Sequence, residues 1–502
     1  MKSILDRRVK SWVHPLLAML LAGCAPSETP TPTLALSECR VQGIESAVRC
    51  ATLMVDEDRA NPGNRRIPIH VVVLPATSRS KAADPIFFFA GGPSQAASDY
   101  ARQAQLMFAG LAAKRDIVLI DQRGTGKSNG LFCKSGDPWE LARLDARQRA
   151  ARSAALLRTC REELASKADL TKYTTTLAMA DVDAVRDALG YREINLWGGS
   201  YGTRAAQEYL RRYPDRVRSV VLDGVAPPEL ALPANFSNDA AAALQRGFDA
   251  CRSDGACSAR YGELQREAFG LLARLKARPA SPVVADPLDG APHQIHVDDE
   301  ALAAVLFAAL YAPETTALLP MVVARAAEGD FQPFATLSAL LSADAEDKHA
   351  MGMRLSVVCT EDIPRLDPAS SSGSLPFRDL FVREFLRSCE GWPRGSVDAQ
   401  FHTPVRSTKP VLILSGALDP VTPPAFGELV KRDLSNAVHL VAPAIGHGVS
   451  GRGCAPKLVK QFIESASAAG LNGECLARIP RPTFFVPPMR RVADADNPGA
   501  RK

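Results

Sequence analysis

The 502 residues contain no C-x-x-C pair and no Cys/His cluster at zinc spacing, so a structural metal is not expected. Basic residues are dispersed, with no basic patch interleaved with aromatics, and the net charge is only +5; nucleic acid is therefore not an expected partner. No internal repeat is present. The apolar run Trp12 to Ala22 is too short to span a bilayer as a stable helix. Arg123-Gly124-Thr125-Gly126-Lys127-Ser128 looks like the end of a phosphate-binding loop, but that pattern needs a glycine where Asp121 stands. A turn after a strand explains the segment better than nucleotide binding. Only eight histidines occur, so candidates for a catalytic base are few.

What is present starts at the N-terminus. Lys2, Arg7, Arg8 and Lys10 precede the short apolar run, as in a secretory signal. Leu21-Ala22-Gly23-Cys24 then resembles a lipobox, which makes Cys24 the lipidated first residue after cleavage. Ala25 in place of Asp implies delivery to the outer membrane, facing the periplasm, with the lipid as the membrane contact. Setting Cys24 aside leaves ten of the eleven cysteines, an even number that suits an oxidising compartment. Nearest-neighbour order gives Cys39–Cys50, Cys133–Cys160, Cys251–Cys257, Cys359–Cys389 and Cys454–Cys475, although sequence alone does not fix connectivity.

At 46% hydrophobic the chain can bury a large core. Runs such as Ile69 to Leu74, Ile86 to Ala90, Asp116 to Asp121, Glu193 to Trp197, Ser219 to Asp223, Val411 to Ser415 and Val438 to Val441 read as core strands. Helical patterns alternate with several of them, as in a mostly parallel sheet with helices on both faces. Alternation stops after Pro228, and the chain is Ala- and Leu-rich and helical to about residue 405. The expected organisation is a signal over 1–24, a tether over 25–37, a sheet domain over 38–228 and 406–480, an inserted helical cap over 229–405 and an irregular tail over 481–502.

Gly198-Gly199-Ser200-Tyr201-Gly202 lies between the strand Glu193 to Trp197 and a helical run from Thr203. Strand, G-x-S-x-G, helix is the setting of a nucleophile elbow. Side chains two residues either side of such a serine would strike backbone, and the glycines remove them. A serine hydroxyl needs a base within hydrogen-bond reach, and the base needs an orienting acid. Asp419 follows the strand Val411 to Ser415, and His447 follows Val438 to Val441, in the order Ser, Asp, His. Those strand ends share one edge of a parallel sheet with Ser200. The other histidines lie in the signal (His14), in strands (His70, His439), in the cap (His293, His296, His349) or near its exit (His402).

A tetrahedral intermediate also needs backbone donors. Tyr201 N–H is one candidate, and Gly91 or Gly92 in the loop Ala90-Gly91-Gly92-Pro93-Ser94 supplies the other. No cofactor is needed for this chemistry.

Gly91-Gly92-Pro93, Asp121 to Ser128, Gly198 to Thr203 and Leu222-Asp223-Gly224-Val225 together resemble the proline iminopeptidase and tripeptidyl aminopeptidase group of α/β hydrolases. The resemblance spans roughly residues 40 to 480 and is weakest in the cap. It implies the α/β-hydrolase fold with a helical cap, and a serine exopeptidase acting on peptides with free N-termini. Ala90 and Ser94 replace the usual His and Gly around Gly-Gly-Pro, and the long chain with its Cys-bearing C-terminal segment looks more like the tripeptidyl aminopeptidase branch. An aminopeptidase must tell a free ammonium from a blocked amide, which a carboxylate does by charge-assisted hydrogen bonding. Glu361, with Asp362 as second choice, is the candidate in the cap. An esterase would use the same three residues, and a silent binding lipoprotein would use none; labelling by a fluorophosphonate separates the last from the others.

Overall fold

The computed structural model describes residues 33–342, 349–367 and 373–487. Cys24, the signal, most of the tether and the end of the tail lie outside the described residues. The strands in chain order are β1 Ser37–Cys39, β2 Val48–Asp56, β3 Arg66–Leu74, β4 Ile86–Phe89, β5 Ile117–Ile120, β6 Ile194–Gly199, β7 Val217–Asp223, β8 Val283–Ala285, β9 Pro292–Gln294, β10 Val411–Gly416 and β11 Ala437–Ala442. Nine of them form one sheet in the order β1-β2-β3-β5-β4-β6-β7-β10-β11. Pairing is antiparallel from β1 to β3 and between β3 and β5, and parallel from β5 through β11.

The apolar runs explain the burial. Every residue of Ile-Phe-Phe-Phe in β4 and Ile-Val-Leu-Ile in β5 is buried, because both sheet faces are covered. Side chains alternate between two cores. Val71, Phe87, Phe89, Val118 and Leu196 face helices Thr175–Ala188 and Tyr201–Arg212. Val72, Phe88, Leu119, Trp197 and Leu412 face helices Ala101–Met107 and Ala455–Ser465. Parallel register sets Phe89 beside Gly198, Gly199 beside Asp223, Leu414 beside Asp223, and Gly416 beside Ala442. The loops leaving β4, β6, β7, β10 and β11 therefore emerge at one edge.

Between β7 and β10 the chain builds a separate core from Leu244, Phe248, Leu271, Leu306, Val322 and Phe334. Among the described residues its strands are β8 and β9, which form a small antiparallel hairpin. The stretch expected as cap is not uniform. Helix Met351–Glu361 leaves that core, and its Met353, Leu355, Val357 and Val358 join the sheet-domain core instead. The irregular tail is also engaged, with Phe484 and Val486 against the cap core and Phe485 N–H donating to Ala317 O at 3.1 Å.

Five disulfides form, and their partners are those that nearest-neighbour order gave. The segment that looked like a phosphate-binding loop is a turn after β5. There Asp121 accepts from Ser98 N–H and Lys127 N–H, while the fully buried Arg123 pairs with Asp181 at 2.6 Å.

Candidate active site

Ser200 joins β6 to helix Tyr201–Arg212 with φ 55° and ψ −125°. Non-glycine residues rarely hold this conformation, and it stores strain at a site the neighbours must over-determine. Three contacts do so. Ser200 N–H donates to Asp223 O at 2.9 Å, and Ser200 O accepts from Thr203 N–H at 2.9 Å and Thr203 Oγ1 at 2.6 Å. A Cβ at Gly198 would strike the Gly202 carbonyl, and one at Gly202 would strike Phe89 O. The two glycines permit the turn because backbone fills the space where side chains would go.

Asp419 is fully buried after β10. Its Oδ1 accepts from Val421 N–H at 2.9 Å and Thr422 N–H at 2.8 Å. Its Oδ2 accepts from Thr422 Oγ1 at 2.7 Å and lies 2.7 Å from His447 Nδ1. This leaves Nε2 as the free ring nitrogen of His447. Burial alone would raise Asp419, but His447 and the two Thr422 donors outweigh it and hold the carboxyl low. Burial pulls His447 down, while the Asp419 charge and hydrogen bond overcome that and leave it raised.

Asp223, at the end of β7, links the two halves of the site. Its backbone carbonyl holds Ser200, and its carboxylate accepts from Val449 N–H at 2.8 and 3.0 Å and from Ser450 N–H at 2.7 Å, just beyond His447. The next residue, Gly224, has φ +69°, and a Cβ there would sit 3.3 Å from the His447 ring. The sequence signal for Asp223 was the Leu222-Asp223-Gly224-Val225 motif, which named no role for it.

The loop after β4 brings Gly91 closest to the serine. A Cβ on Gly91 would lie 3.1 Å from Ser200 Cβ, whereas one on Gly92 would meet Gln95 and Ser94. Tyr201 is buried, and its hydroxyl is 2.7 Å from Thr175 Oγ1.

Glu361 is not presented as a free acceptor, whereas Asp362 keeps one buried oxygen, Oδ2, without a hydrogen-bond partner. Glu361 accepts from Thr175 N–H at 2.6 Å and Thr175 Oγ1 at 2.8 Å, behind Tyr201. Asp362 pairs with the buried Arg204 at 2.8 Å and accepts from Leu232 N–H at 3.0 Å. Their helix packs on the sheet domain, which turns Glu361 and Asp362 Oδ1 toward structural donors.

From the cap, Tyr311 O accepts from His447 N–H at 2.8 Å, and the Tyr311 ring meets the imidazole edge-on at 5.3 Å. Aromatic contacts continue from Tyr311 to Phe307 at 5.5 Å, to Phe381 at 4.2 Å and to Phe236 at 6.1 Å. These residues had no sequence signal, since their approach to His447 is purely tertiary. Among the described residues no three His, Cys, Asp or Glu side chains gather as a metal site, and no helix is long and apolar enough to cross a membrane.

Residues 84–450 match the description of the alpha/beta hydrolase fold family. The chain belongs to that family. Within it, the hydrolase is 29% identical over 212 residues to a tripeptidyl aminopeptidase of Streptomyces lividans, covering 39% of each chain. It is 26% identical over 196 residues to serine protease Hip1 of Mycobacterium tuberculosis, covering 37% of each. The chain thus spans about two fifths of the length of the curated relatives it matches. A solved proline iminopeptidase of Mycobacterium smegmatis shares 16% identity at a TM-score of 0.38, over 83% of this chain and 98% of that one.

Proposed function

We propose that the hydrolase is a serine aminopeptidase, releasing N-terminal residues or short peptides through an acyl-enzyme. The observation that carries the reading is the buried Asp419–His447 bond of 2.7 Å beside the Ser200 elbow, with Asp223 holding Ser200 and the loop that follows His447. In this reading Ser200 Oγ attacks the scissile carbonyl carbon while His447 Nε2 takes its proton. Asp419 holds the imidazole tautomer and stabilises the cation. The backbone N–H groups of Tyr201 and Gly91 receive the oxyanion. Collapse breaks the C–N bond, and His447 returns the proton to the leaving amine. Water then repeats the attack with His447 as base, giving a carboxylic acid and free Ser200. The peptidase names of the relatives support the choice of peptide over ester.

Two measurements test this. A fluorophosphonate should label wild type and not Ser200→Ala; labelling of both would remove Ser200 from the role. Pure protein offered free-amine peptides and their N-acetyl forms should cleave only the free ones. Equal cleavage would leave a general acyl hydrolase in place of the aminopeptidase.

We also propose an envelope location, anchored by lipid on Cys24 at the outer membrane. The five disulfides support an oxidising compartment.

A further inference from the structure

One cation beside the proposed site has no anion of its own. Arg354 closes the first turn of helix Met351–Glu361, and its guanidinium stacks on the Phe385 ring, 4.9 Å from the ring centre. Stacking uses the face of the planar group and leaves the N–H donors in its plane free to bond. Among the described residues, none of those donors meets a hydrogen-bond acceptor or forms an ion pair. Arg354 is half-buried, and an arginine does not lose its proton in a protein. The acid within electrostatic reach, Glu384, is exposed to water.

Two independent sets of contacts place Arg354 at the site. From the sheet side, Ala350 N–H donates to Ser94 O at 3.0 Å and Gln95 bridges to His349, so the helix starts on the loop that carries Gly91. Arg354 N–H donates to Ala350 O at 3.1 Å, one turn further on. From the cap side, Phe385 meets Phe236 edge-on at 6.4 Å, Phe236 lies 6.4 Å from Phe307, and Phe307 leads through Tyr311 to His447. Arg354 thus stands between the Gly91 loop and the cap residues that reach His447.

Tyr311 adds a second free donor. Its hydroxyl forms no hydrogen bond among the described residues, and the residue is 37% exposed although its carbonyl and ring both hold His447. Tyr311 and Arg354 lie within electrostatic reach of each other. Other buried groups with an unpaired atom have an opposite charge at hand: Asp362 pairs with Arg204, and Glu229 and Asp239 lie within reach of Arg365 and Arg246. The Arg354 donors have only the water-screened Glu384, so the complement they call for is an anion that arrives from outside. A planar fork of N–H groups with a hydroxyl nearby suits a carboxylate, which accepts two parallel bonds from arginine.

We propose that Arg354, with the Tyr311 hydroxyl, binds a carboxylate of the peptide substrate close to the scissile bond. The inference rests on the reading of a peptide substrate and deepens it, because it names a substrate class. That class is short peptides whose C-terminal carboxylate lies near the cut, or peptides with an acidic side chain there. Both sources present the same group to Arg354, and the experiment separates them.

The test measures how tightly three tripeptides compete with hydrolysis of a small neutral ester. They are trialanine with a free C-terminus, its C-terminal amide, and the same amide with glutamate as its third residue. Ratios of their inhibition constants do not depend on how much of a preparation is folded. Wild type should bind a carboxylate peptide at least about 10-fold more tightly than the neutral amide, and which of the two gains identifies the source. In Arg354→Gln that preference should vanish. Arg354→Lys should keep part of it, and Tyr311→Phe should weaken it while the backbone contact to His447 stays in place. Equal binding of all three peptides by wild type would overturn the assignment. So would a full preference in Arg354→Gln, or in both Arg354→Lys and Tyr311→Phe should the glutamine variant not fold. Equal cleavage of free-amine and N-acetyl peptides by a wild type that keeps the carboxylate preference would remove the aminopeptidase reading and leave the Arg354 site standing.

Discussion

At the scale of single residues, the proposed mechanism depends on one proton moving between Ser200 and His447. Ser200→Ala should abolish hydrolysis, with a loss on the order of 10³-fold or more in kcat. His447→Ala and Asp419→Asn should lose similarly, and the combined variant should lose far less than the product of the three. Full activity in any single variant would exclude that residue from the role. The pH dependence has a definite sign. His447 acts as base only when neutral, and the Asp419 charge and bond raise it against the pull of burial. The acid limb of kcat/KM should therefore lie above the ordinary histidine value of about 6.5, with activity falling as pH drops through it. A limb below that value would show that burial wins. Ser200, Asp419 and His447 were legible because each sits in a local pattern at a strand end. The neighbours of Glu361 in sequence give no hint that Thr175 satisfies both of its oxygens.

At the scale of elements, loops from five strand ends must be held in register, and Asp223 ties two of them. Asp223→Ala should free the loop after His447 and lower kcat/KM on the order of 10²-fold, as expected for a misplaced base. It should also move the acid limb downward, because the Asp223 charge helps hold His447 up. An unchanged limb would reduce Asp223 to a packing role. Helix Met351–Glu361 gives a second pH effect. Glu361 is pushed up to about 8, first by burial, with Asp362 adding to it. A group raised in the fold contributes stability that is complete below its unfolded pKa and lost as pH rises toward the folded one. The wild type should thus lose stability between about pH 4.5 and 8, and Glu361→Gln should flatten that slope. Thermal melts of both across this range decide it; parallel curves would mean that Glu361 is ionised throughout. Among the elements, the parallel strands were legible as unbroken apolar runs. β2 was not, since its mixed burial left no such run. The departure of Met351–Glu361 from the cap core was also hidden, because a buried helix face looks alike whichever core receives it.

At the scale of the whole molecule, covalent links brace the two sheet-domain cores and the cap core. The disulfides close short loops within each part: Cys251–Cys257 in the cap, with a separation of 6 residues, and Cys454–Cys475 beside the helix that follows His447, with a separation of 21. Cys359–Cys389 instead ties the end of helix Met351–Glu361, where Glu361 backs Tyr201, to the chain returning from the cap. Each bridge should contribute roughly 2–4 kcal/mol, largely by restricting the unfolded chain. All five pairings suit an oxidising compartment, as the envelope proposal expects, and one set of measurements tests both. Protein purified from the envelope and denatured without reductant should show no free thiol among residues 25–502. Cys24 should carry lipid in the mature chain, as mass spectrometry of the N-terminal peptide would show. A single acyl chain binds membranes only marginally, so stable anchoring needs several on that cysteine. Cys24→Ser should then leave the bridged, active enzyme in the soluble fraction or its signal uncleaved. A mature chain that begins elsewhere and still forms all five bridges would keep export and remove the anchor. Free thiols in envelope protein with a lipidated Cys24 would keep the anchor and overturn the bridges as a fixed feature of the enzyme.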